Sequence, residues 1–164
     1  TTEIDQQVRE IQQGLAEKQI ACQHSKVQAW DIPEGIAACE DCHGTGEVPL
    51  LPGLREECDC IPDREHPDYP FEAGWHMVLY PKVPRHLCRK CRSRGWVLSD
   101  SSIETGLAAL NERYGEVGIE MFPTDKGYGA SLFLEDGTTA IVREILNLRL
   151  AFWLAAEKLV KEKS

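Results

Sequence analysis

Four short clusters of soft or titratable side chains could do chemistry in this chain: Cys22-Gln-His24, Cys39-Glu-Asp-Cys42, Cys58-Asp-Cys60 and Cys88-Arg-Lys-Cys91. A Cys-x-x-Cys turn brings two sulfurs to one ion at a Zn–S distance of about 2.3 Å. Backbone amides just beyond the second cysteine can donate to the sulfurs and spread the thiolate charge. Gly44 and Gly46, behind Cys42, allow the positive φ values that such a turn can require. CRKCRSRGWV at 88–97 repeats the layout, with Ser93 in place of the first glycine and Gly95 kept. Both knuckles run into a β-like exit, GEV and GWV. Seven cysteines in 164 residues, clustered in this way, read as metal ligands sooner than as disulfides in a reducing compartment.

The four half-sites offer eight ligands and tetrahedral zinc uses four, so one or two structural Zn2+ ions are expected. The three two-cysteine half-sites can pair in three ways. Joining Cys39/Cys42 to Cys88/Cys91 makes a ribbon of two like knuckles, whereas joining them to Cys58/Cys60 closes the shorter loop at a lower entropic cost. That cost grows slowly with length, so the two pairings stand about even, and Cys39 and Cys42 are ligands in both. Cys22 and His24 have the weakest claim, as a buried thiol beside a surface histidine.

CEDCHGTGEV resembles the CxxCxGxG knuckle of the DnaJ-type cysteine-rich zinc finger, and CRKCRSRGWV resembles it less closely. The resemblance implies zinc ligation by Cys39, Cys42, Cys88 and Cys91. The family's four-repeat pattern is absent, because ECDC is a CxC, so chaperone activity is not implied. A CxxCxGTG knuckle followed by a CxC also resembles the small fingers of some phage and bacterial replication proteins, which would make Cys58 and Cys60 partners of Cys39 and Cys42. Residues 101–160, with the alanine-rich AFWLAAEKL near the end, are similar to the small phage-encoded α/β (ABA) sandwich domain, which implies a phage or prophage origin and no particular chemistry.

Catalytic signatures are missing. There is no HExxH, no H-x-E with a downstream P-C-x-x-C, no Walker loop and no dinucleotide fingerprint. GYGAS at 127–131 is too short for a phosphate loop and reads as part of a turn. Thiol redox chemistry needs a low-pKa cysteine at a helix start in a βαβ setting, and glycine turns and prolines surround these pairs instead. His66, His76 and His86 read as solvated or packed; His86, two residues before Cys88, is the one placed to test as a ligand. Structural rather than catalytic zinc is therefore expected, in a non-enzymatic protein.

Charge is unevenly spread within a net of −9. Residues 1–80 carry 16 acids against 5 bases, and residues 100–164 carry 11 against 7, whereas 81–99 carry Lys82, Arg85, Arg89, Lys90, Arg92 and Arg94 and no acid. A general nucleic-acid coat is disfavoured, because the overall field repels phosphate. The basic segment has two readings. Cations can offset a negatively charged thiolate–zinc centre. Alternatively, Arg85, Arg89, Lys90, Arg92 and Arg94 contact phosphate, with Trp96 as a stacking platform.

The elements that must position these residues fall into three stretches. Over 2–19, Ile4, Val8, Ile11 and Leu15 form a narrow apolar stripe, and Thr2 with Asp5 resembles a capping box, so a helix packed on the body is expected over domain 1–20. The stretch 21–98 holds all seven cysteines, all five histidines and eight of the nine prolines, with short strand candidates at Glu47–Leu51, Trp75–Tyr80 and Gly95–Leu98: a loop-rich module stapled by zinc. Across 99–164, a capping box at Ser101–Glu104 opens a helix that stops at Gly115. Strands around VGIEMF, SLFLE and TTAIV follow, turning at TDKGYG and at Asp136-Gly137, before a final helix over about Arg143 to Lys163. That helix is apolar nearly all round from Leu148 to Ala156, so it is buried on several sides or lies in a subunit interface.

The fold class is α+β, with an α-β-β-β-α domain after the zinc module. TTEIDQQVREIQQGL lacks the layout of a secretory leader and no run of 18 apolar residues exists, so a cytoplasmic protein without a membrane span is expected, as monomer or homodimer. The expected function is a zinc-stabilised binding or adaptor protein, of phage or prophage origin, that acts on a protein partner; nucleic-acid binding by the 82–96 segment is the alternative.

Overall fold

The structure, a computed structural model, describes residues 2–23, 41–42, 45–60 and 83–164. His24, Cys39, Gly44, His66, His76, Lys82 and the strand expected at Trp75–Tyr80 lie outside the described residues. The chain is α+β and divides into two units, one made of 1–54 with 100–164 and the other of 55–99. The boundary between Leu54 and Arg55 falls inside the stretch read as a single cysteine-rich module.

In the first unit, helix α1 (Glu3–Glu17) starts at a capping box, with Thr2 and Asp5 exchanging side-chain and backbone hydrogen bonds as expected. Its buried face carries Val8, Gln12, Leu15 and Ala16. Strand β1 (Gln19–Ala21) then pairs antiparallel with β2 (Glu47–Pro49), Ile20 lying opposite Val48. A single 3₁₀ turn, Pro52–Leu54, closes this segment.

Helix α2 (Ile103–Tyr114) begins one residue later than the expected box. Ser102 is its cap: its Oγ accepts from Thr105 N at 3.1 Å, and Asp100 Oδ1 accepts from both Ser102 N and Thr105 Oγ1. The serine before it serves differently, since Ser101 O accepts from Trp153 Nε1. Strands β5 (Gly118–Thr124), β6 (Gly127–Phe133) and β7 (Thr139–Ile145) form an antiparallel meander. GYGAS, read as part of a turn, forms the start of β6. The Asp136-Gly137 turn is a three-residue hairpin loop, with Gly137 N donating to Leu134 O and Gly137 at φ +90°, a turn followed by a glycine bulge rather than a two-residue turn.

Helix α3 (Leu148–Lys163) starts five residues later than expected, because β7 runs on to Ile145 and Asn147 caps the helix by accepting from Leu150 N. It carries the core of this unit. Phe152, Ala155, Leu159 and Val160 are fully buried, and the helix packs against β6, β7, α1 and α2. Most of its apolar surface is thus covered within the unit, whereas Leu148 in its first turn is exposed and Leu154 half-buried. Two polar ties fix it further: Arg149 pairs with Asp5, and Trp153 Nε1 donates to Ser101 O at 3.0 Å on the approach to α2. Among the described residues, no helix is long and apolar enough to cross a membrane.

Candidate metal centre

The second unit is built on one short ladder. Strand β3 (Arg55–Glu57) pairs antiparallel with β4 (Trp96–Leu98), Glu57 opposite Trp96, and Cys58 N extends the ladder by donating to Gly95 O at 2.9 Å. Alternate residues of an extended chain point to the same side, so the CxC that leaves β3 can present Cys58 and Cys60 together. From the other direction comes a 3₁₀ turn, Arg85–Leu87, closed by Cys88 N donating to Arg85 O at 3.1 Å. The Cys88–Cys91 knuckle follows. Arg94 N donates to Cys91 O at 3.1 Å, and Gly95 N donates to Cys91 Sγ at 3.3 Å, the amide-to-sulfur contact expected behind such a knuckle. The tight reversal puts Arg92 at φ +52° and Ser93 at φ +66°. Ser93, standing where the first knuckle has Gly44, thus adopts a left-handed conformation without being glycine.

These two arms bring four sulfurs together. Cys58 Sγ lies 3.7 Å from Cys88 Sγ and Cys60 Sγ lies 3.7 Å from Cys91 Sγ. All four lie within 4.8 Å of one another, and all four cysteines are buried. Disulfides need about 2.05 Å, so these are separate thiols. A tetrahedron with metal–sulfur bonds of about 2.3 Å has edges of about 3.8 Å, which the two short separations match. The cluster could hold a metal ion. It is the third way of pairing the half-sites, CxC with the second knuckle. Neither pairing through Cys39 and Cys42 forms it, and Cys42 is buried in the other unit.

The electrostatics fit an ion. Cys58 feels a backbone hydrogen bond from Cys60 that favours its thiolate. Burial and the neighbouring thiols Cys88, Cys60 and Cys91 oppose it, and its pKa is pushed up to about 12. Burial pushes Cys60 up as well. Cys91 goes the other way: burial opposes its ionisation, but the Gly95 amide and the three surrounding thiols bring it down to about 7. The Cys91 thiolate is therefore favoured and those of Cys58 and Cys60 are not, because like charges this close repel unless a cation lies between them. The guanidinium of Arg85 lies against Cys60, whose hydrogen bond raises the arginine pKa further. Among the described residues, Arg85 Nε is buried without an acceptor. A guanidinium with its Nε buried and the Cys60 and Cys91 sulfurs beside it suits a negatively charged thiolate set better than neutral thiols.

The other basic residues divide. Arg94 Nε donates to Cys91 O at 3.1 Å, and Arg94 and Arg55 both lie over the Trp96 ring, with Cζ 4.0 and 4.2 Å from its centroid. A base stacking on Trp96 would have to displace one of them. Lys90 pairs with Asp59 at 3.7 Å, whereas Arg89 and Arg92 are exposed. His86 is exposed and is not among the clustered ligands. Arg55 is the participant that sequence reasoning did not single out; only the β3–β4 register brings it to Trp96. Compared with family models, curated proteins and solved structures, the chain matches none of them.

Proposed function

We propose that Cys58, Cys60, Cys88 and Cys91 hold one structural Zn2+, and that the protein is a non-enzymatic, zinc-stabilised binding or adaptor protein acting through protein contacts. The closed, buried, all-cysteine donor set carries the reading. Thiolates select soft and borderline ions over hard ones. A catalytic zinc keeps three protein ligands and an open position, and four cysteines leave no position open. The ion staples a unit that has little else: strands of three residues, and a buried cluster made of the four cysteines with Val83 and Val97 packed against it.

Protein contact is favoured over nucleic acid because Arg85 and Arg94 are engaged with the cysteine cluster, Lys90 has an acidic partner, and the chain carries a net charge of −9 that repels phosphate. Native mass spectrometry of the full chain and of Cys91→Ser tests the zinc, with one ion fewer expected in the variant. Titration with single- and double-stranded nucleic acid at low and physiological salt tests the adaptor reading. Weak binding that is indifferent to Arg89→Glu/Arg92→Glu is expected. Tight, steeply salt-dependent binding that the double variant abolishes would replace it with the nucleic-acid reading.

A further inference from the structure

The local geometry around Cys22 and Cys42, within the first unit, repeats that of the metal centre in the second. At the centre, Glu57, the last residue of β3, lies opposite Trp96, and Cys58 N then donates to Gly95 O at 2.9 Å. In the first unit, Ala21, the last residue of β1, lies opposite Glu47, and Cys22 N then donates to Gly46 O at 2.8 Å. Gly95 stands four residues after Cys91 at φ +84°, and Gly46 stands four residues after Cys42 at φ +80°. Arg94 N donates to Cys91 O at 3.1 Å, and Thr45 N donates to Cys42 O at 3.0 Å. Cys42, like Cys91, is buried; Cys22 is half-buried, less covered than Cys58 and not the buried thiol expected from sequence. Register, hydrogen bonds and the left-handed glycine all coincide. The same strand–cysteine, cysteine–glycine–strand device is therefore built twice, with Gly-x-Val opening the second strand of both ladders and no pattern shared between β1 and β3.

We infer that the first unit carries a second metal site, with Cys22 and Cys42 in the places that Cys58 and Cys91 take at the first. For the two remaining places sequence position supplies only candidates, both outside the described residues. Cys39 stands three residues before Cys42 as Cys88 does before Cys91, and His24 stands two residues after Cys22 as Cys60 does after Cys58. The site is argued from Cys22 and Cys42, whose thiolates suit the same class of soft or borderline ion as the first centre. The identity of the ion rests on the zinc reading of the first centre; the existence of the site does not.

Native mass spectrometry under reducing conditions should find two zinc ions on the wild-type chain, one lost in Cys91→Ser and a different one in Cys42→Ser, with both lost in the double variant. One ion on the wild type, retained in Cys42→Ser and Cys22→Ser, would overturn the second site and leave the first standing. An ion count unchanged in Cys91→Ser would instead count against the first. Alkylation of zinc-loaded wild-type protein with iodoacetamide needs no variant to fold. Protection of Cys22 and Cys42 alongside the four cysteines of the first centre is expected, and modification of Cys22 and Cys42 while those four stay protected would overturn the proposal. In the Cys58→Ser/Cys91→Ser chain loaded with Co2+, His24→Cys should keep the ion and move its visible bands to longer wavelength as sulfur replaces nitrogen. An unmoved spectrum would remove His24 from the site.

Discussion

Gly95 allows the metal centre to be tested without touching a ligand. Its backbone lies at φ +84°, and a β-carbon there would sit 2.7 Å from both Cζ and Nε of Arg85. Two costs add in Gly95→Ala. An L-residue in the left-handed region costs about 1–2 kcal/mol. The methyl group also pushes the guanidinium away from Cys60, and a hydrogen bond to a charged partner is worth roughly 1.5–3 kcal/mol, part of which Arg85 recovers in a new position. The sum is about 2–4 kcal/mol. In a unit this small, folding and ion binding are one event, so the loss appears as affinity: roughly 30- to 700-fold weaker zinc binding at about 1.4 kcal/mol per decade. Gly137→Ala is the control, because φ is +90° there but nothing lies within 4 Å of the added carbon. It should cost the first unit about 1–2 kcal/mol of stability and leave the affinity of the Cys58/Cys60/Cys88/Cys91 centre unchanged. Zinc competition against a chromophoric chelator measures both variants. An affinity for Gly95→Ala near that of wild type, or the same loss in Gly137→Ala, would refute the role given to Arg85.

Two further outcomes follow from the first unit. In Gly106→Ala the new carbon would lie 2.4 Å from Phe152 Cε1 and 3.0 Å from Trp153 Cη2, both rings being buried in the core; overpacking of about 1–3 kcal/mol outweighs the helix-propensity gain of about 1 kcal/mol, so calorimetry should show a lower Tm, and a raised one would mean that the ring slot has slack. Acid should weaken this unit through Asp136, Asp5 and Asp100, whose carboxyls are held below 3.8, chiefly by hydrogen bonds from Lys163, Thr2 and Ser102 respectively. Because the folded pKa is the depressed one, their stabilisation is complete above about pH 4 and fades as pH falls below it. The helical circular-dichroism signal on heating should therefore show a shallower decline of Tm below pH 4 in Asp136→Asn than in wild type, and parallel curves would contradict the assignment.

The long elements were legible because each repeats a period or carries a cap. The Ile4–Leu15 stripe, the Thr2–Asp5 box and the three strands after Gly115 could all be read from residue order, and α3 announced its burial by being apolar on every side. Its start was misplaced because Val142 to Ile145 fits the end of a strand and the start of a helix equally well, and only pairing with β6 decides between them. The partnering of the cysteine half-sites was not legible for a different reason. Loop closure distinguishes the pairings by only a fraction of a kcal/mol, and β3 reads Arg-Glu-Glu, with no apolar alternation to give it away as a strand. What joins Cys58 to Cys88 is the register of Glu57 on Trp96, a long-range fact with no local signature.

The split of the first unit into two stretches of sequence bears on how the protein is made. Asp5 meets its partner Arg149 across 144 residues, and the helix that carries the core comes at the far end of that span. At a synthesis rate of about 5–20 residues per second, α1 waits roughly 7–30 s on the ribosome before the surface it packs against exists. The second unit waits for nothing beyond Leu98, since β3 and β4 bring its two ends side by side. Vectorial synthesis therefore lets the inserted unit with the four-cysteine cluster close first, while the unit that brackets it is still incomplete.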